Sequence, residues 1–80
     1  MNPSSLNSLR VGQSARVSHI EAEPAMRRRL PDIGLIPGTR VTCTAVSPAG
    51  DPAAYLIRGA VIALRGRDAG GVYLGDALWD

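Results

Sequence analysis

The sequence predicts a mainly β fold: five short strands rolled into a small barrel, with one short α-helix after the first strand. Three observations predict it. Short stretches alternate apolar and polar residues, the pattern of half-buried strands. Clusters of glycine, proline, serine and aspartate separate these stretches at short intervals. The chain has only 80 residues. Closing the sheet removes edges that so short a chain has little material to cover.

Each element has its own justification. Asn2 to Ser5 is a polar lead-in, and Leu6 and Leu9 are spaced to pack as a single turn against the barrel wall. Gly12-Gln13 marks a turn. Ser14 to Ile20 is the first strand, with Ala15 and Val17 on one face and Arg16 and Ser18 on the other. Ile20 is out of phase with Val17, and a bulge would correct it.

The helix follows. Pro24 suits a first helical position, where its missing N–H costs nothing. Met26, Leu30 and Ile33 fall at i, i+4 and i+7 and so share a face. Pro31 cannot donate to the Arg27 carbonyl and biases Leu30 away from helical geometry. A helix of about two turns ending or kinking near Leu30 is therefore expected, with Pro31 to Ile33 as a separate turn. Gly34 sits where a left-handed cap is wanted. Ile36-Pro37-Gly38-Thr39 reads as a type II turn, with proline second and glycine third.

Thr39 to Val46 is the second strand, with Val41 and Cys43 inward. Ser47 to Pro52 is dense in turn formers and makes a hairpin loop. Ala53 to Arg58 is the third strand, with Tyr55 and Ile57 inward. Gly59-Ala60 is a two-residue turn, and Val61 to Arg65 is the fourth strand. That register sets Leu56 near Ala63 and Arg58 near Val61. Asp68-Ala69 makes one helical turn, Val72 and Leu74 form a short fifth strand, and Gly75 to Asp80 is a tail.

Composition narrows the function. The net charge is +2, and all nine basic residues are arginine. So small a net charge does not suggest a nucleic-acid partner. The aromatic residues are Trp79, Tyr55 and Tyr73, too few for a stacking platform. One cysteine permits no internal disulfide, which suits a reducing compartment. The start of the chain lacks a signal-peptide pattern, and no apolar run approaches the ~20 residues that span a bilayer. The expected location is the cytoplasm.

The motifs in order are Arg29-Leu30, Asp32-Ile33-Gly34-Leu35-Ile36-Pro37-Gly38-Thr39-Arg40-Val41, Pro48-Ala49-Gly50-Asp51-Pro52, Ile57-Arg58-Gly59, Ile62-Ala63-Leu64-Arg65 and Asp68-Ala69. Their order and spacing resemble the ferrous-iron transport protein A (FeoA) family, from about Leu6 to Leu74. Pro31 departs from the helix-compatible residue usual at its position. The resemblance implies one SH3-like domain over residues 1–80, with its core at about 6–74 and a tail at 75–80. It also implies a cytoplasmic partner of the FeoB-type membrane ferrous-iron transporter, which carries a GTP-binding domain, acting by protein–protein contact. The alternative is a metal-responsive regulatory module, because a related SH3-like domain ends the iron-dependent repressors.

Candidate residues follow from this reading. No nucleophile–base pair or carboxylate pair stands out, so no catalytic residue is assigned and an enzyme is not expected. There is no phosphate-binding loop of the GxxxxGK[ST] type. His19 and Cys43 are the only soft metal ligands besides methionine, without the ligand spacing of a zinc site. Cys43 reads better as a core residue and His19 as a strand-end residue. No cofactor is expected, ferrous iron being the one ion to consider. Arg27, Arg28 and Arg29 form the one charge run. A solvated helix face explains them; the sharper reading is contact with the transporter's GTP-binding domain, or an arginine finger in its strongest form. Leu56, Val61 and Ala63 fall together on the outside of the third and fourth strands. Such an apolar cluster marks a partner surface, a self-association surface, or a patch covered by Leu78 and Trp79.

Overall fold

A computed structural model describes residues 4–78, with side chains to Gly75. The strands are β1 (Ser14–Ile20), β2 (Arg40–Val46), β3 (Ala53–Ile57), β4 (Ala60–Leu64) and β5 (Val72–Leu78). Helix α1 (Pro24–Asp32) joins β1 to β2, and a single turn, α2 (Gly66–Ala69), joins β4 to β5. A 3-10 turn at Leu6–Ser8 precedes them. All strand pairings are antiparallel, in the order β4-β3-β2-β1-β5.

The alternation read from the sequence sets the core. Ala15, Val17, Val41, Cys43, Tyr55, Ile57, Val72 and Leu74 point inward and are buried. Leu6, Leu9, Leu30 and Leu35 are buried in the same core. Tyr55 carries a polar atom into this interior. Its hydroxyl donates to the Leu6 carbonyl at 3.3 Å, which offsets the cost of burying it. The expected bulge is present: the β1–β5 register shifts between Ala15 and Val17 and again between Val17 and His19.

Helix α1 differs from expectation. It runs through Pro31 to Asp32 and does not stop near Leu30. The reason lies in its C-terminus. Gly34 takes φ +94°, its N–H bonds the Pro31 carbonyl at 3.0 Å, and the Leu35 N–H bonds the Leu30 carbonyl at 2.9 Å. These are the two bonds of a Schellman cap. Leu30 and Leu35 are both fully buried, so the cap is also an apolar clasp. Pro31 forfeits one bond, to Arg27, and the rest of the last turn is held by this closure.

The β3–β4 hairpin also differs in register. Ile57 pairs with Ala60, Leu56 with Val61 and Ala54 with Ala63. The turn is therefore Arg58-Gly59, one residue earlier than Gly59-Ala60. Arg58 at φ 50° and Gly59 at φ 86° give the two positive φ angles of a type I′ turn. The expected register was shifted by two residues, an even number, so Leu56, Val61 and Ala63 still share the outer face.

The fifth strand is longer than expected, since its backbone pairs with β1 as far as Ser14 and Leu78. Only Trp79 and Asp80 of the expected tail follow it, and they lie outside the described residues. So does any cover of the apolar patch by the Leu78 and Trp79 side chains. Among the described residues the barrel is not sealed by strand pairing all round, because β4 and β5 are the two ends of the order. The outer side of β5 is taken by the N-terminal segment. Ser5 bridges Tyr73, and the Leu74 N–H donates to the Ser4 carbonyl at 2.6 Å.

Candidate partner-binding face

The outer face of β3 and β4 carries three exposed apolar side chains: Leu56, 39% exposed, Val61, 64% exposed, and Ala63. Leu56 and Val61 are direct cross-strand partners. A transverse row runs through them by register, from Ser14 in β1 to Thr42, Leu56 and Val61. Ser14 and Thr42 share a 2.7 Å hydroxyl–hydroxyl hydrogen bond at the polar end of this row. The row therefore changes from polar and buried at β1 to apolar and exposed at β4.

Around the β4 side lies a cleft of about 440 Å³ that Ala63 borders. Helix α1 and its C-cap lend it Met26, Leu30 and Ile33, which are buried or half-buried, and the exposed Arg29. The connection after β4 adds the exposed Arg65 and Arg67. Asp68 is the one carboxylate on its lining. Among the described residues, none of the three arginines is in a salt bridge; the pair present is His19–Glu21.

The structure thus divides the sequence's candidates. Arg29 and Ala63 come together at one cleft, while Arg27 and Arg28 are exposed elsewhere on α1. Leu56 and Val61 stand on the adjoining sheet face. Arg65 and Arg67 were not singled out from the sequence. The signal available was Arg-Gly-Arg at a strand end, and nothing in the spacing links it to Arg29 more than 30 residues earlier.

His19 and Cys43 are placed in different settings. His19 is exposed, stacks on Tyr73 with 4.8 Å between ring centroids, and pairs its Nε2 with a Glu21 carboxylate oxygen at 3.2 Å. Cys43 is buried in the core. Burial pushes its thiol above the ordinary range, with a backbone hydrogen bond to Ala45 acting the other way. A thiol held protonated is a poor nucleophile and a poor ligand. Among the described residues no group of three or more His, Cys, Asp or Glu side chains could hold a metal ion. His19 with Glu21 supplies two donors, where zinc sites use three or four protein ligands. No helix among these residues is long and apolar enough to cross a membrane.

A strongly curled five-stranded antiparallel sheet, with a capped helix after its first strand and an apolar outer hairpin, defines a small SH3-like domain. The FeoA domain family model matches residues 4–74, and the chain belongs to that family. The FeoA protein of Chlorobium tepidum is 35% identical, with a TM-score of 0.83 over 89% of this chain and 68% of that one. The iron(II) transport protein A of Clostridium thermocellum is 30% identical, with a TM-score of 0.85 over 89% of this chain and 44% of that one. A zinc-complexed FeoA of Stenotrophomonas maltophilia is 29% identical, with a TM-score of 0.79 over 90% of this chain and 89% of that one. That protein is described as a prokaryotic SH3 domain protein put forward as a ferrous-iron transport activating factor. A manganese-dependent transcriptional repressor, 23% identical with a TM-score of 0.80, shares the fold over 92% of this chain and 42% of its own. No curated protein sequence matches this chain.

Proposed function

We propose that this protein is a cytoplasmic, non-enzymatic accessory of ferrous-iron uptake. It docks on the cytoplasmic part of a FeoB-type GTP-binding transporter and adjusts the transporter's assembly or activity by contact. The single observation that carries the reading is the exposed Leu56–Val61–Ala63 cluster on the outer hairpin of a FeoA-family domain. Exposed apolar side chains gathered on one face are costly unless a partner covers them. The guanidinium groups beside them suit the rim of such an interface, because arginine makes paired hydrogen bonds to carboxylates.

The test is capture of the transporter's purified cytoplasmic domain by this protein, with and without guanine nucleotide. Saturable binding supports the reading, and no binding in any nucleotide state overturns it. A regulatory module that sensed metal through its own side chains would bind ferrous iron in isolation. The docking reading expects no such binding.

A further inference from the structure

β4 is an end strand of the sheet, paired on one side only with β3. In a hairpin with a two-residue turn, the residues flanking the turn must be the hydrogen-bonded pair. Ile57 and Ala60 flank it, so Tyr55–Ile62 and Ala53–Leu64 are the next hydrogen-bonded pairs along the ladder. Leu56–Val61 and Ala54–Ala63 are the pairs between. The N–H and C=O groups of Val61 and Ala63 therefore point away from β3, out of the edge. Neither residue makes another backbone hydrogen bond among the described residues.

Among the described residues the sheet's other edge is covered, and no backbone group bonds to this one. β5 has Ser4 and Ser5 against it. The β4 sequence, Ala-Val-Ile-Ala-Leu, has no charge, proline or bulge, the devices by which proteins blunt a strand edge. Beside it lies the cleft, with the apolar Met26, Leu30 and Ile33 and the cationic Arg29, Arg65 and Arg67.

We infer that β4 binds an extended, acidic segment of a partner protein by strand addition. The backbone groups of Val61 and Ala63 would supply main-chain hydrogen bonds. The apolar lining would take side chains on one face of the added strand, and the three arginines would select carboxylates. A second copy of this chain is a poorer occupant. Edge-to-edge pairing of two copies would gather two sets of three guanidinium groups along one seam. The inference deepens the docking reading by naming how a partner would be held, and it can fail separately.

The experiment uses the full chain and three fluorescent octapeptides. One alternates glutamate and valine. The second is the same peptide with every other backbone amide N-methylated. The third has lysine in place of glutamate. Fluorescence anisotropy gives affinity, and amide NMR follows Val61 and Ala63. The expected result is binding of the first peptide alone, slowed exchange at both amides, and a loss of about tenfold in affinity between low salt and 0.5 M salt. Equal binding of the N-methylated peptide, or unshifted Val61 and Ala63 amides, overturns it. So does a concentration-dependent doubling of mass with no peptide bound.

Ala63→Pro supplies the second arm. It deletes an edge donor that no ladder bond uses, at a position where an edge strand tolerates proline. The variant should keep its fold by circular dichroism and lose the peptide. If it still captures the transporter domain as well as the parent, strand addition is wrong and docking stands. If the parent captures nothing, docking is wrong, and the peptides alone decide the edge. Should the variant unfold, the comparison of the N-methylated peptide with its unmethylated parent decides between the two outcomes.

Discussion

The Asp51 carboxylate accepts a 2.8 Å hydrogen bond from the Gly66 N–H, tying the β2–β3 loop to the first residue of α2. The Gly66 carbonyl accepts another, also 2.8 Å, from the Asn7 side-chain amide. Gly66 is thus held on both sides, and Arg65 and Arg67 flank it. No side chain within α2 caps its N-terminus, so Asp51 acts as a cap from 15 residues away. A carboxylate at an orphan helical N–H also meets the positive end of the peptide dipoles. Asp51→Ala should cost about 1 kcal/mol, because capping losses run from roughly 0.5 to 2 kcal/mol. For a domain of this size that lowers Tm by about 4–8 °C. Asp51→Asn keeps an acceptor and should lose less. Thermal unfolding of the three proteins checks the order.

Gly34 and Arg58 are coupled across the fold. A Cβ at Gly34 would lie 2.7 Å from Arg58 Cδ and 3.2 Å from Ile57 Cγ2, at φ +94°. Gly34→Ala therefore combines a strained backbone with a clash, and a cost of about 2 kcal/mol is expected. The arginine stem is mobile and can yield; the Ile57 methyl and the backbone angle cannot. Pairing Gly34→Ala with Arg58→Ala should recover part of the loss and leave about 1 kcal/mol. Chemical denaturation of the two single variants and the double variant measures the coupling. Full additivity would show that the stem is not what the methyl meets.

Much of this was legible in the sequence, and the failures have physical causes. Strand faces were legible because Ala15-Val17, Val41-Cys43 and Tyr55-Ile57 alternate cleanly, and burial on one face fixes the phase. The cap at Gly34 and the turn at Gly38 were legible because only glycine takes those angles cheaply. Pro31 misled because the rule against it is local, while the clasp of Leu30 on Leu35 is tertiary. The hairpin turn misled because Arg58 occupies a left-handed position that sequence preference assigns to glycine or asparagine. The length of β5 was missed because Gly75 and Asp76 look like a strand end, and pairing with β1 carries the backbone past them. The arginine cleft was half legible: Arg29 was visible in its run, but only the fold brings Arg65 and Arg67 beside it.

Two buried groups, Cys43 and Tyr55, weaken the fold at alkaline pH. Burial raises the Cys43 thiol above its ordinary 9.0. Burial also raises the Tyr55 hydroxyl above its ordinary 10.0, helped by the charges of Cys43 and Asp51. In both, the unfolded chain releases the proton at lower pH than the native one. Stability is therefore complete below the unfolded values and falls as pH rises past them. The fall should begin near pH 9 and steepen above about pH 10. Cys43→Ala lowers stability at every pH through the lost core volume, but it should move the onset of the fall toward the tyrosine value. Urea midpoints measured from about pH 7 to about pH 11 test both statements, since that window brackets both ordinary values. Parallel curves for the two proteins would contradict the assignment to Cys43. The thiol should also resist alkylation in native buffer and react fully once unfolded.

The docking reading makes the sharpest demand on Leu56. Leu56→Glu leaves the core untouched, because the side chain is outside the sheet and its neighbours Thr42 and Val61 are outside with it. The variant should therefore unfold within about 0.5 kcal/mol of the parent, as surface substitutions usually do. Its capture of the transporter's cytoplasmic domain should fall by at least tenfold, because a carboxylate buried in an apolar contact without a partner costs well over about 1 kcal/mol. The arginines separate by position. Arg29→Ala, at the cleft, should weaken capture by about threefold to tenfold, while Arg27→Ala and Arg28→Ala leave it unchanged. None of the three should alter GTP turnover per bound complex, whereas an arginine finger contributes roughly 10³-fold or more. Binding isotherms and turnover at saturation distinguish these roles. A turnover collapse with intact binding in any one arginine variant would make that residue a finger and displace the contact reading; unchanged capture by Leu56→Glu would remove the outer hairpin from the interface.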